Sequence, residues 1–149
     1  MKRRIVAMAV FAMGSVVTGC GYDVFGPSYY GSYDLRWVNG REVPATVYET
    51  RGAGTSYRAD ISYGTLHLRH DGTFSMDVEL RETDSKGVHV STQGYSGTYE
   101  RDGPDLFLYY IDPFTNRDGT LSGFVRDGYV EVLLAGIVDG QILQCGFER

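Results

Sequence analysis

Apolar and polar residues alternate along most of this chain, and no stretch after residue 30 sustains a helical period. The alternating segments are 32–39, 57–69, 73–82, 89–101, 104–111, 119–126, 129–138 and 141–148. Between them stand Asn39-Gly40, Asp71-Gly72, Asp102-Gly103, Asp118-Gly119, Asp127-Gly128 and Asp139-Gly140. Such dipeptides supply the positive φ values that tight hairpins need. The pattern predicts about eight strands joined by short turns. Residues 41–56 fit neither period and are expected as a short helix or a crossing loop.

Register follows from asking which loop length keeps apolar residues on one face. A two-residue turn at Asp127-Gly128 pairs Val125 with Val130, Gly123 with Val132 and Leu121 with Leu134. A two-residue turn at Asp139-Gly140 carries that face onward, pairing Leu134 with Cys145, Val132 with Phe147 and Gly136 with Leu143. Around Asp71-Gly72 only a three-residue loop works. It pairs Leu68 with Phe74, Leu66 with Met76 and Gly64 with Val78, and leaves Gly72 in a left-handed bulge position. A two-residue turn at Asp102-Gly103 pairs Tyr99 with Leu106, Gly97 with Leu108 and Tyr95 with Tyr110. Successive hairpins with a common apolar face describe an all-β, up-and-down antiparallel meander. Eight such strands close into a barrel, which removes the exposed edges. An open β-sandwich is the alternative.

The 149 residues divide unevenly. Lys2-Arg3-Arg4 precede a mostly apolar run from Ile5 to Val17. That run is shorter than the roughly 20 residues a membrane-spanning helix needs and fits the core of a secretory signal peptide. Val17-Thr18-Gly19-Cys20 follows, and it resembles the lipobox of bacterial lipoproteins. The resemblance implies cleavage after residue 19 and a diacylglycerol thioether with N-acylation on Cys20. Gly21 in place of an aspartate is similar to lipoproteins sorted to the outer membrane. The expected division is a signal peptide at 1–19, a lipidated cysteine and tether at 20–30 and a barrel domain at 31–149. Two or three acyl chains hold a protein far more firmly than one.

Without the three signal-peptide basic residues, 11 basic and 19 acidic side chains remain, a net charge of −8. There is no basic cluster, so nucleic acid is not an expected partner. With 42% hydrophobic and 22% charged residues, the chain is neither disordered nor a polytopic membrane protein. With Cys20 acylated, Cys145 has no partner within the chain and is expected to face inward as a small hydrophobe.

Gly31-Ser32-Tyr33-Asp34-Leu35 with Val38-Asn39-Gly40 and Val43-Pro44 resembles the opening of bacterial lipocalin-like lipoproteins. Gly64-Thr65-Leu66-His67-Leu68, Asp71-Gly72-Thr73-Phe74, Gly97-Thr98-Tyr99 and Phe147-Glu148-Arg149 extend the resemblance to the end of the chain. It implies a barrel, often with an apolar interior, and brings no catalytic residues with it.

The sequence carries little catalytic patterning. Gly94-Tyr95-Ser96-Gly97 has Thr98 where a nucleophile elbow needs a second glycine. Lys86 is the only lysine outside the signal segment, and no phosphate-cradling loop contains it. His67 and His70 are three apart, which sends them to opposite faces of a strand. Asn116, Asp118 and Gly119 are part of a calcium-loop pattern whose other positions are Phe114 and Val125. The chain is expected to be no enzyme and to hold no cofactor or metal.

Two features point to binding. Gly64, Gly97, Gly123 and Gly136 fall on the inward face. Their missing side chains leave room for a cavity bordered by Leu66, Met76, Tyr99, Leu108, Tyr110, Leu121, Val132 and Phe147, suited to a small apolar ligand. Alternatively, these glycines relieve coiling where strands bend hard. The second feature is an outward apolar stripe of Phe124, Leu133, Ile137 and Ile142 beside Tyr129, either covered by residues 41–56 or free to dock a protein partner. The expectation is therefore an envelope lipoprotein anchored at Cys20 that binds an apolar ligand. The alternative is a non-enzymatic structural, inhibitory or interaction lipoprotein with a filled barrel.

Overall fold

The computed structural model describes residues 29–149 apart from 53, 113, 114 and 139; the signal segment and Cys20 lie outside the described residues. Ten strands follow in order: β1 (Gly31–Val38), β2 (Arg41–Glu42), β3 (Ala45–Gly52), β4 (Thr55–Leu68) and β5 (Thr73–Asp84), then β6 (Gly87–Asp102), β7 (Asp105–Ile111), β8 (Asp118–Arg126), β9 (Tyr129–Ala135) and β10 (Ile142–Glu148). Each strand from β4 to β10 pairs antiparallel with the next. Strand β1 pairs with β10 and also with β4, through Gly31–Asp34 against Thr65–Leu68. That second pairing closes eight strands into an up-and-down barrel, so the sandwich alternative does not apply.

Residues 41–56 are not a helix or a crossing loop. Their described part forms β2, β3 and the start of β4, and β3 pairs with the first half of β4. Above Asp34 the ladder between β1 and β4 ends, and the two strands part. Strand β2 extends the free edge of β1, β3 extends that of β4, and the corner at 43–44 joins them. Ala45 is buried there, with Val43 and Val47 packed on the core. Hydrophobic burial explains the element: an apolar patch fills the gap that the parting strands leave.

Two hairpins have the expected register. Leu68, Leu66 and Gly64 oppose Phe74, Met76 and Val78, and Gly72 takes φ +79°. Val125 and Gly123 oppose Val130 and Val132, where that ladder ends. Leu121 and Leu134 lie beyond it, both buried.

Two other hairpins are shifted by two residues with the facing preserved. Tyr99 opposes Leu108, and Gly97 opposes Tyr110. The turn is therefore Gly103-Pro104 between paired Asp102 and Asp105. Gly103 takes φ +58°, and a type II′ turn wants glycine at its first central position. Proline at the second supplies a fixed negative φ and needs no N–H for the ladder. At the other shifted hairpin, Leu134 opposes Leu143, Val132 opposes Cys145 and Val130 opposes Phe147. Gly136 turns the chain out of β9 at φ +84°, and Ile137 and Val138 fold back into the core. Burying two branched apolar residues outweighs the two extra ladder pairs.

Candidate functional site

The barrel interior holds the residues expected to border a cavity. Leu66, Met76, Leu108, Val132 and Phe147 have 0% exposure, so no void large enough for water touches them. Tyr99 and Leu121 are also buried, and Tyr110 is half-buried against the core.

The glycines leave no space either. Leu35 lies over Gly64, with its Cβ 3.1 Å from where a Cβ on Gly64 would stand. A Cβ on Gly97 would overlap the carbonyl oxygen of Tyr109 and lie 3.1 Å from the Tyr110 Cα. A Cβ on Gly123 would overlap the carbonyl oxygen of Glu131 and lie 3.2 Å from the Val132 Cα. These two glycines let adjacent strand backbones approach where the sheet coils. Gly136 is not inward: it is exposed in the β9–β10 connection with nothing within 4 Å of its Cβ position.

One end of the barrel holds Tyr29, the C-terminal Arg149 and the turns at 69–72, 103–104 and 127–128, and tyrosines floor it. The Tyr33 hydroxyl donates to the Tyr29 carbonyl at 2.5 Å, and the Tyr99 hydroxyl donates to the Arg69 carbonyl at 2.7 Å. Tyr30 stacks on His70 with centroids 3.7 Å apart, and Arg101 lies 4.5 Å over the Tyr29 ring. Arg149 donates to the Tyr30 carbonyl and, at 3.1 Å, to the Tyr33 hydroxyl. Tyr29 and Tyr30, expected in the tether, are thus docked on the domain. Their signal was present in the sequence as an aromatic pair next to the first strand.

The opposite end is asymmetric. Strands β4, β5 and β6 are longer than the rest and project past the ring with β3. On the inner face of this projection Tyr57 donates a short hydrogen bond to Glu82, which is paired with His89 on β6. That carboxylate bond, with some burial, pushes the Tyr57 hydroxyl up to about 12. Tyr95 meets Tyr110 edge to face at 5.1 Å, and burial, with Tyr110 and Asp112 nearby, pushes it up to about 12. Both phenols are neutral hydrogen-bonding groups at physiological pH, not acids ready to ionise.

A cleft of about 640 Å³ opens where β6 leaves β7, lined by Ser96, Gly97, Thr98, Tyr109, Tyr110, Ile111, Asp118, Gly119 and Thr120. The sequence reading missed it. Its cause is a length mismatch: β6 runs from Gly87 to Asp102, whereas β7 pairs with it only from Gly97 onward.

The outward stripe is partly as expected. Leu133 and Ile142 are 42% and 68% exposed. Phe124 and Tyr129 are half-buried against each other, with centroids 5.8 Å apart. Ile137 is not on this stripe; it is buried in the β9–β10 connection. Residues 41–56 do not cover the stripe, because β2 and β3 sit beside β1 and β4 while the stripe spans β8, β9 and β10.

Cys145 is buried opposite Val132, not Leu134, and burial pushes its thiol up to about 12. His67 shares a 2.8 Å hydrogen bond with Ser32, and His70 lies in the turn against Tyr30. Among the described residues no three of His, Cys, Asp or Glu stand close enough to hold a metal ion.

The fold thus defines a closed eight-stranded antiparallel β-barrel. Comparison with protein families, with curated proteins and with solved structures finds no match.

Proposed function

We propose that the chain is a lipoprotein of the bacterial envelope, anchored through Cys20, whose filled lipocalin-like barrel serves as a non-enzymatic protein-interaction module. The observation that carries this reading is the fully buried inner layer of Leu66, Met76, Leu108, Val132 and Phe147. A barrel packed on that layer has no room there for the apolar ligand that the inward glycines suggest. The surface offers what the interior does not: exposed Leu133 and Ile142, and a long strand β6 whose edge at Gly87–Ser96 has no strand partner among the described residues. The signal-like segment and the lipobox-like tetrapeptide support the anchor, and Gly21 after the cysteine supports a place at the outer membrane.

The test is native mass spectrometry of the full-length protein extracted from membranes, before and after chemical cross-linking. The expected result is the acylated chain without a further apolar adduct, and discrete cross-linked species with other envelope proteins. A stoichiometric hydrophobe retained by the folded barrel would overturn the filled-barrel reading. Absence of every cross-link would overturn the interaction reading. Cys20→Ser should move the protein out of the membrane fraction, and a mutant that stays bound would remove the anchor.

A further inference from the structure

We infer that the unpaired edge of β6, from Gly87 to Ser96, takes up an extended segment of a partner protein as an added antiparallel strand. The inference rests on the interaction-module reading and gives it a site. Strand β6 pairs with β5 along Gly87–Thr98 but with β7 only along Gly97–Asp102. Among the described residues no strand or turn hydrogen bond reaches the other edge of Gly87–Ser96. Every second residue of such an edge aims its N–H and C=O at solvent, ready to pair with an incoming strand.

Natural edges carry charges, prolines or bulges that block this pairing. The free edge of β3 has all three: Pro44 precedes it, a bulge lies between Thr46 and Tyr48, and Glu49 is paired with Arg51 at 2.7 Å. The β6 edge has none. Gly87-Val88-His89-Val90-Ser91-Thr92-Gln93-Gly94-Tyr95-Ser96 holds no Asp, Glu, Lys, Arg or Pro, and its ladder with β5 is unbroken. Val88 and Val90 point outward at 49% and 59% exposure.

The cleft lies at the foot of this edge, where an added strand would meet the top of β7. Ser96 on β6 and Ile111 on β7 both line it. It can receive the terminal side chain of the incoming segment.

Charge and topology choose the occupant. Asp77, Glu79, Glu82 and Asp84 lie one strand away on β5, across β6 from this edge, and Asp118 lines the cleft at its foot, against Arg81 and Lys86. This favours an extended segment with basic flanks. A second copy of this chain would bring the same acidic surroundings. Antiparallel pairing of two β6 edges would also point the two Tyr29 ends in opposite directions, away from a shared membrane.

The test uses the full-length chain in mild detergent and a synthetic peptide, acetyl-Lys-Val-Thr-Val-Thr-Val-Thr-Lys-amide, followed by residue-resolved hydrogen exchange. The expected result is at least tenfold slower exchange at alternate amides within 87–96 and no change along 45–52. Two versions of the peptide, N-methylated on one or the other alternating set, should differ: one binds and one fails. Glutamate in place of the terminal lysines should weaken binding at least fivefold. Val90→Lys should remove the protection without lowering the melting temperature; if that variant unfolds, the N-methylated pair alone decides. Unchanged β6 exchange at millimolar peptide, or equal protection of β3 and β6, overturns the inference. So does a dimeric mass with β6 protected before any peptide is added, which would make the second copy the occupant. Failure here removes this docking edge and leaves the interaction reading to its own cross-linking test.

Discussion

Gly97 and Tyr109 lie so close that a Cβ on the glycine would overlap the carbonyl oxygen of the tyrosine. Three residues earlier on the same strand, a Cβ on Gly94 would meet only the Asp77 carboxylate, at 3.1 Å, on a side chain that can move. The two sites should therefore respond oppositely to one methyl group. Gly97→Ala should lower stability by about 1–3 kcal/mol or more, because backbone must shift to relieve the overlap. Gly94→Ala should raise it by about 0.5 kcal/mol through a less flexible unfolded chain. Urea denaturation of the two variants checks this, and equal effects would contradict the close approach of the strands.

Asp60 gives an acid-side prediction. Burial alone would raise its pKa, but hydrogen bonds from Arg58 and Thr46 and the Arg58 charge hold the carboxyl below its ordinary value of 3.8. A depressed folded-state pKa stabilises the fold above the unfolded value and is lost as pH falls through the folded one. Asp60→Ala also strands the Thr46 hydroxyl, which donates to this carboxylate at 2.7 Å. The variant should be about 1–2 kcal/mol less stable at neutral pH. The gap from the unmodified protein should narrow as pH drops below 3.8, measured by denaturation at a series of acid pH values.

On the alkaline side the signs reverse. Tyr57 and Tyr95 are raised from an ordinary value of 10.0 to about 12. Groups raised in the folded state stabilise it below the unfolded pKa and withdraw that support as pH climbs through the folded one. Melting temperature should fall between pH 10 and about 12. Glu82→Gln removes the carboxylate that dominates the Tyr57 shift, so one phenol should titrate earlier in an ultraviolet pH titration. An unchanged titration curve would break the Tyr57–Glu82 assignment.

Cys145 should be inert while the barrel is folded. Its thiol is buried and raised to about 12, and the thiolate is the reactive form. Labelling by a disulfide reagent at pH 8 should proceed only at the unfolding rate and finish rapidly in denaturant. Fast labelling of the native protein would mean that β10 opens locally.

The meander was legible because alternation and the glycine turns are local, and parity alone fixes which face is buried. Leu66 and Met76 went inward as opposing residues, and Val125 met Val130, from that rule. Parity cannot detect a slip of two, and both misplaced hairpins slipped by two. At one, Pro104 moved the turn by a residue; at the other, Ile137 and Val138 went to the core instead of the ladder. Inward glycines read as cavity or as coil relief with the same letters, and only the positions of Tyr109 and Glu131 separate the two. The bare edge of β6 was accessible in principle. The predicted segment 89–101 is longer than its neighbour 104–111, and a long strand beside a short one must leave backbone unpaired.

The seam that closes the barrel is four residue pairs long, and it belongs to the first strand after the N-terminal segment. Tension on that segment enters at Tyr29 and runs along β1, which is flanked by β10 on one side and β4 on the other. Pulled lengthwise, both ladders are sheared together; neither is peeled one bond at a time. Arg149, bonded to Tyr30 and Tyr33, bolts the far end of the chain across the same point. A pull applied at Tyr29 is therefore shared by two ladders and by the C-terminal residue.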